Sequence, residues 1–165
     1  IIINHKLNKT DLGDKKYVYK IGEYYIYIYK DKEYYEKYLE INNTFSKYNF
    51  MPKIIFNAYL LIVTEDCGIT LEEYSEKNRY INNFKNQINN IRNIFKNKNY
   101  NHDDIHQKNI TVKNEKIYII DHDNSYFGPE KEKEKELPCR TLPKSGSNDI
   151  IKYLNDNDDC LNPKW

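Results

Sequence analysis

Asp104, Asn109 and Asp121 are the residues of this chain whose types and spacing could do chemistry, and that chemistry is phosphoryl transfer. An aspartate has to accept the proton of the acceptor hydroxyl. An asparagine shortly after it and a second aspartate beyond a β-hairpin then hold the magnesium ions that neutralise nucleotide phosphates. The run His102-Asp103-Asp104-Ile105-His106-Gln107-Lys108-Asn109, followed by a short apolar hairpin and Ile119-Ile120-Asp121, supplies that order. The plainer reading is a loop and hairpin in which Asp and Asn only make turns. A long amphipathic segment before the loop and apolar strands after it favour the functional one, because a motif gains meaning from its structural context.

These residues resemble the catalytic core of the protein kinase-like superfamily, with a flavour of its aminoglycoside and choline phosphotransferases. The protein kinase loop reads H-R-D-L-x-x-x-N, and Asp103 stands where the arginine would be. The sugar and aminoglycoside branch reads H-x-D-[LI]-H-x-x-N, which His102, Asp104, Ile105, His106 and Asn109 match. The D-F-G of the family appears as Asp121-His122-Asp123, without its phenylalanine and glycine. The resemblance runs from about Tyr17 to Asp121 and is specific from His102 to Asp121. It implies an α+β chain with a reduced two-lobed protein kinase-like fold: a small antiparallel sheet in residues 1–66 up to the start of the hinge, and a shortened, mostly helical lobe in 67–165. It also implies ATP and Mg2+ as cofactors, Asp104 as the base, and Asn109 and Asp121 as metal ligands.

The elements that must position these groups can be followed along the chain. Tyr17 to Ile21 and Tyr24 to Lys30 are β-branched or aromatic runs separated by Gly22-Glu23, which predicts a hairpin. Asp31 to Tyr48 predicts a helix with Tyr35, Leu39 and Ile41 available to one side. Ile54 to Phe56 and Tyr59 to Val63 predict paired strands. The second leads into Thr64-Glu65-Asp66-Cys67-Gly68, which resembles the kinase hinge, with Thr64 as gatekeeper and the backbone of Glu65, Asp66 and Cys67 receiving adenine. From Ser75 to Lys98 the residues Ile81, Phe84, Ile88, Ile91 and Phe95 recur at steps of three and four, predicting one amphipathic helix. Ile110 to Val112 and Ile117 to Ile120 predict a tight hairpin whose end presents Asp121. Glu130 to Glu136 alternates charge with no apolar face and reads as a mobile loop. Asp149 to Leu154 predicts a last short helix capped by Ser147.

The nucleotide-binding parts are reduced. No G-x-G-x-x-G is present; Gly13, in Leu12-Gly13-Asp14-Lys15-Lys16-Tyr17-Val18, is the glycine available for a turn over the phosphates, with Val18 closing that segment. The resemblance implies a lysine on the third strand, and Lys30 stands at the end of Tyr24 to Lys30. Glu36 and Glu40 are its helix partners in prospect, Glu40 being preferred because Glu36 is too near along the chain. If Ile26 and Ile28 face the buried side, a period of two places Lys30 with them. A shift of one favours Tyr27 or Tyr29, leaves no lysine there and points to a pseudokinase.

Composition closes off other classes. With 26 basic against 25 acidic side chains the net charge is +1, which makes no electrostatic case for nucleic acid. The 17 tyrosines therefore read as core and rim rather than as base-stacking platforms. No apolar run approaches the roughly 18 to 20 residues that span a bilayer, and no signal peptide is recognised. Cys67, Cys139 and Cys160 are widely spaced and odd in number, which suits reduced thiols in the cytoplasm, the host's if the AT-rich residue usage is viral. His102 and His106 have the i, i+4 spacing of a zinc helix, but Asp103 replaces the glutamate of a zinc-protease motif. The His102-Asp103 and His122-Asp123 doublets suit an HD phosphohydrolase less well, with only His5 upstream.

Few residues follow Asp121, too few to wall off a small polar ligand, so a protein acceptor is expected and the reading is a minimal serine/threonine protein kinase-like enzyme. A small-molecule kinase and a weak pseudokinase acting as a protein-binding module stand beside it. Because the sequence begins at Ile1, a piece of a longer enzyme is also an expectation.

Overall fold

Gly22 takes a positive φ of 56° at the first central position of a two-residue turn, and around it Ile21 pairs with Tyr24 and Lys16 with Tyr29. Such a turn matches the twist of the strands it joins. The computed structural model in which this is seen describes residues 8–11, 14–77 and 81–129. The architecture is α+β, in two compact units that divide between Cys67 and Gly68.

The first unit is a five-stranded antiparallel sheet and one helix. Its strands are β1 (Asn8–Asp11), β2 (Lys16–Ile21), β3 (Tyr24–Tyr29), β4 (Ile54–Ala58) and β5 (Leu61–Glu65), ordered β1-β2-β3-β5-β4. The helix α1 (Lys32–Phe45) lies between β3 and β4 in sequence. Both expected strand pairs form. Asp31 starts α1 as an N-cap, its Oδ1 accepting the Glu33 N–H at 2.8 Å. The helix stops at Phe45 rather than at the expected Tyr48. There the Tyr48 N–H turns back to the Phe45 carbonyl, and Phe50 stacks on Tyr48 and meets Phe45, which brings Phe50 and Met51 into the core. Burial of these rings outweighs another helical turn.

The face of the sheet that meets α1 is built of tyrosine. Tyr29 and Tyr35 meet edge to face at 6.2 Å, and Tyr38 lies 6.1 Å from Tyr27 and 6.2 Å from Tyr29, all around the fully buried Ile62. Tyr38, not Leu39, carries the buried stripe between Tyr35 and Ile41; Leu39 is partly buried.

The second unit holds β6 (Ile69–Thr70), α2 (Leu71–Glu76), α3 (Phe84–Asn97), β7 (Tyr100–Asn101), β8 (Ile110–Lys113), β9 (Lys116–Ile119) and β10 (Tyr126–Phe127). Two small antiparallel sheets result, β6-β8-β9 and β10-β7. The single helix expected over Ser75 to Lys98 is instead two. Asn83 adopts the left-handed conformation at φ 54° ahead of α3, which a short amide side chain enters more readily than most. All five periodic residues are still buried: Phe84, Ile88, Ile91 and Phe95 from α3, and Ile81 just ahead of it. Gln87 locks α3 to the β8–β9 hairpin, its Oε1 accepting the Ile117 N–H and its Nε2 donating to the Glu115 carbonyl. Asn114 and Glu115, both at positive φ, make the two-residue turn of that hairpin. Among the described residues no helix is long and apolar enough to cross a membrane.

Candidate active site

The loop from His102 to Asn109 is closed by hydrogen bonds at both ends. It leaves β7, which pairs with β10, and enters β8, which pairs with β9. The Asn101 Nδ2 donates to the Gly128 carbonyl, and the Gly128 N–H to the Asn99 carbonyl, so the entry is tied to the segment after Asp121. Asp103 turns the chain at φ 61°.

Within this frame Asn109 grips Asp104. Its Nδ2 donates to the Asp104 carbonyl at 2.9 Å and to Asp104 Oδ2 at 3.3 Å. The amide oxygen is thereby aimed away from Asp104. Asn109 is buried, while the Asp104 side chain keeps 36% of its surface exposed. Asp121 is brought to the same place by the hairpin. The Ile120 N–H donates to the Asn109 carbonyl at 3.0 Å, and the Ile120 carbonyl accepts from His102 Nε2 at 2.9 Å. Asp121, the next residue, is left-handed at φ 59° and opens a short 3-10 turn over His122–Asn124. A non-glycine residue held there is costly, and such conformations collect where side-chain placement matters.

His106, which matches the second histidine of the H-x-D-[LI]-H-x-x-N loop, belongs to this cluster. Its Nδ1 accepts the Lys108 N–H, and its Nε2 lies 3.1 Å from Asn109 Nδ2 and 3.6 Å from Asp104 Oδ1. Its spacing to Asp104 and Asn109 was the available signal.

His102 and His122 are structural posts. His102 is fully buried; its Nε2–H is committed to the Ile120 carbonyl, and its ring meets His122 edge to face at 4.7 Å. His122 Nε2 donates to the Ile119 carbonyl, so its Nδ1 accepts from the Tyr100 hydroxyl. His122 has both ring nitrogens engaged, and neither His102 nor His106 lies on a helix, so the i, i+4 spacing has no helical zinc pair behind it. Burial pushes the His102 pKa down to about 4 from an ordinary 6.5, with the hydrogen bond to Ile120 opposing the shift. Because the folded state disfavours the proton, the unfolded state binds more of it between those two values. The stabilisation is complete above pH 6.5 and is lost as the pH falls toward 4. Between pH 7 and pH 5 this group should cost the wild type roughly 2 kcal/mol, a pH dependence that His102→Asn should lack when both are unfolded in urea.

The oxygen donors suit magnesium. Mg2+ takes one or two carboxylates and completes its shell with water and substrate phosphates. Asp121 and the Asn109 amide oxygen offer hard ligands of that kind; among the described residues no group of three or more His, Cys, Asp and Glu is placed to hold a metal ion.

The nucleotide-binding residues expected from sequence fall in the first unit. Gly13 lies outside the described residues, as do Ser147, the Asp149–Leu154 helix and the Glu130–Glu136 loop. Val18 is buried on β2, and Thr64 is fully buried on β5. Of the hinge candidates, Glu65 donates its N–H to the Lys53 carbonyl and Asp66 its N–H to the Glu23 carbonyl, so both amides are engaged within the unit. The Asp66 carboxylate pairs with Lys20 at 3.2 Å, and Cys67 is buried.

Lys30 departs from expectation. Tyr29 is buried and Ile28 exposed, so the period of two puts the tyrosines on the α1 side and Lys30 on the other. Lys30 follows β3, is exposed, and holds its ammonium 4.6 Å from the Tyr17 ring. Glu40 is also exposed, about two helical turns along α1, so the two are not brought together, and Glu36 pairs with Lys32. The reason is the ring partners on α1: Tyr35 and Tyr38 pack against Tyr27 and Tyr29 and so select that face of β3.

No protein-family model matches the chain, and no curated protein matches it.

Proposed function

We propose that this chain is an ATP- and Mg2+-dependent phosphotransferase with a reduced protein kinase-like fold, acting on a hydroxyl of a protein acceptor. The observation that carries the reading is the Asn109 grip on Asp104, beside a hairpin end that delivers Asp121 and is tied to both His102 and Asn109. In this reading Asp104 orients the acceptor hydroxyl and takes its proton, while Asn109 and Asp121 hold magnesium, which supplies charge neutralisation on the phosphates. Further support comes from the first unit, in which the third strand runs directly into a helix and β5 ends in the Thr64–Cys67 segment, as the resemblance implies for a nucleotide-binding lobe. A second reading, a catalytically weak module that binds proteins, is favoured by one observation: Lys30 is exposed on the side away from α1.

Thermal unfolding separates them. With Mg2+, millimolar ATP should raise the melting temperature of the wild type by mass action, and Asp121→Ala should abolish the magnesium-dependent part of that rise. A wild type that ignores ATP and Mg2+ would overturn the phosphotransferase reading.

A further inference from the structure

The β-sheet register of the first unit singles out a different cation. Residues directly opposite one another in an antiparallel pair project on the same face. Lys16 is opposite Tyr29, Val18 opposite Tyr27 and Lys20 opposite Tyr25; on the other side of β3, Tyr27 is opposite Ile62 and Tyr25 opposite Thr64. Since Tyr27 and Tyr29 pack against Tyr38, this is the α1-covered face. Lys30 is on the opposite side, over Tyr17, whose own partner is Ile28.

Lys16 and Lys20 are therefore the β2 lysines on the inner face, and they stand at opposite ends of it. Lys20 is beside Asp66, at the end where β5 runs into Glu65–Cys67. Lys16 is four residues away, roughly 13 Å along the strand, directly after the connection from β1. Only 7% of Lys16 is exposed, and its ammonium is held 5.9 Å from the Tyr29 ring. On the phosphotransferase reading, a base at the Thr64–Cys67 end directs the phosphates toward the Lys16 end of β2.

Resting on the phosphotransferase reading, we propose that Lys16, from the second strand, is the phosphate-binding lysine of this chain and that Lys30 is not. Lys20, matched by Asp66, belongs to the base end.

The experiment compares wild type, Lys16→Met, Lys16→Arg and Lys30→Met in thermal-shift titrations with ATP and Mg2+ and, separately, with adenosine, which has the base without phosphates. Lys16→Met should weaken ATP binding about 10- to 100-fold, the scale of one lost charge-assisted hydrogen bond, and leave adenosine binding unchanged. Lys16→Arg should recover most of the loss, and Lys30→Met should bind ATP like the wild type. Loss of ATP affinity in Lys30→Met with none in Lys16→Met overturns the assignment while leaving the phosphotransferase reading standing. Equal loss of ATP and adenosine in Lys16→Met, unrelieved by arginine, overturns it as well and makes Lys16 a structural residue. A wild type that binds neither ligand overturns both.

Discussion

Asp104→Asn should lower phosphoryl transfer by about 10²- to 10⁴-fold, the usual contribution of a positioned general base, while ATP and Mg2+ binding stays near that of the wild type. The amide is isosteric, so the contacts with Asn109 through the backbone carbonyl and the side-chain oxygen can persist. What disappears is a carboxylate able to accept the acceptor's proton. In the absence of an identified acceptor, phosphate incorporation into the chain itself and into a generic serine- and threonine-rich protein provides the readout, with magnesium-dependent ATP binding measured on the same preparations. Wild-type turnover by this variant would sink the assignment of Asp104. A parallel loss of nucleotide binding would show instead that the substitution disturbs the loop.

Gly68→Ala should cost the second unit more than about 3 kcal/mol in urea unfolding. A Cβ at Gly68 would stand 2.0 Å from the Val112 carbonyl oxygen and 2.6 Å from its carbon, and the backbone there has φ +93°, which alanine resists. Neither atom can step aside, since Ile69 is paired with Val112 in the β6–β8 ladder. The strand that would have to move leads directly out of Asn109. Gly22→Ala provides the contrast, because a Cβ there meets nothing within 4 Å and only the positive φ of 56° is at stake, about 1 kcal/mol. Similar losses at the two glycines would refute the close-approach argument.

Short-range signals were legible in the sequence. The Gly22-Glu23 turn, the tight hairpin between Ile110 and Ile120, the Ile54–Val63 strand pair and the apolar stripe from Ile81 to Phe95 follow from turn chemistry and apolar period, and the structure contains each of them. The candidate site was legible as a spacing, and the structure adds the hydrogen bonds among Asp104, Asn109 and the residue before Asp121. Lys30 was misplaced because a strand of alternating tyrosine and isoleucine has two faces of nearly equal hydrophobicity, and only the partner helix decides which is covered. Tyr35 and Tyr38 on α1 made that choice. The break before α3 was missed for a related reason: Ile81 continues the helical period of Phe84 without being helical, and only the left-handed Asn83 marks the boundary. The strands β6, β7 and β10 are two residues long and carry no period to read.

The pairing scheme of the second unit bears on the order in which it can be built. The β8–β9 hairpin joins neighbours in sequence around Asn114 and Glu115, and its closure carries little entropic penalty. The ladders joining Ile69 to Val112 and Asn101 to Tyr126 close much longer stretches of chain and contribute only once those loops are paid for in lost freedom. The loop holding Asp104 lies inside both closures. The Asn109–Asp104 contacts and the Ile120–Asn109 bond are local to the hairpin and its loop, so that corner can form with the hairpin. The loop's entry beside β7, tied to Gly128 and Tyr126, is completed only when the longer ladder closes.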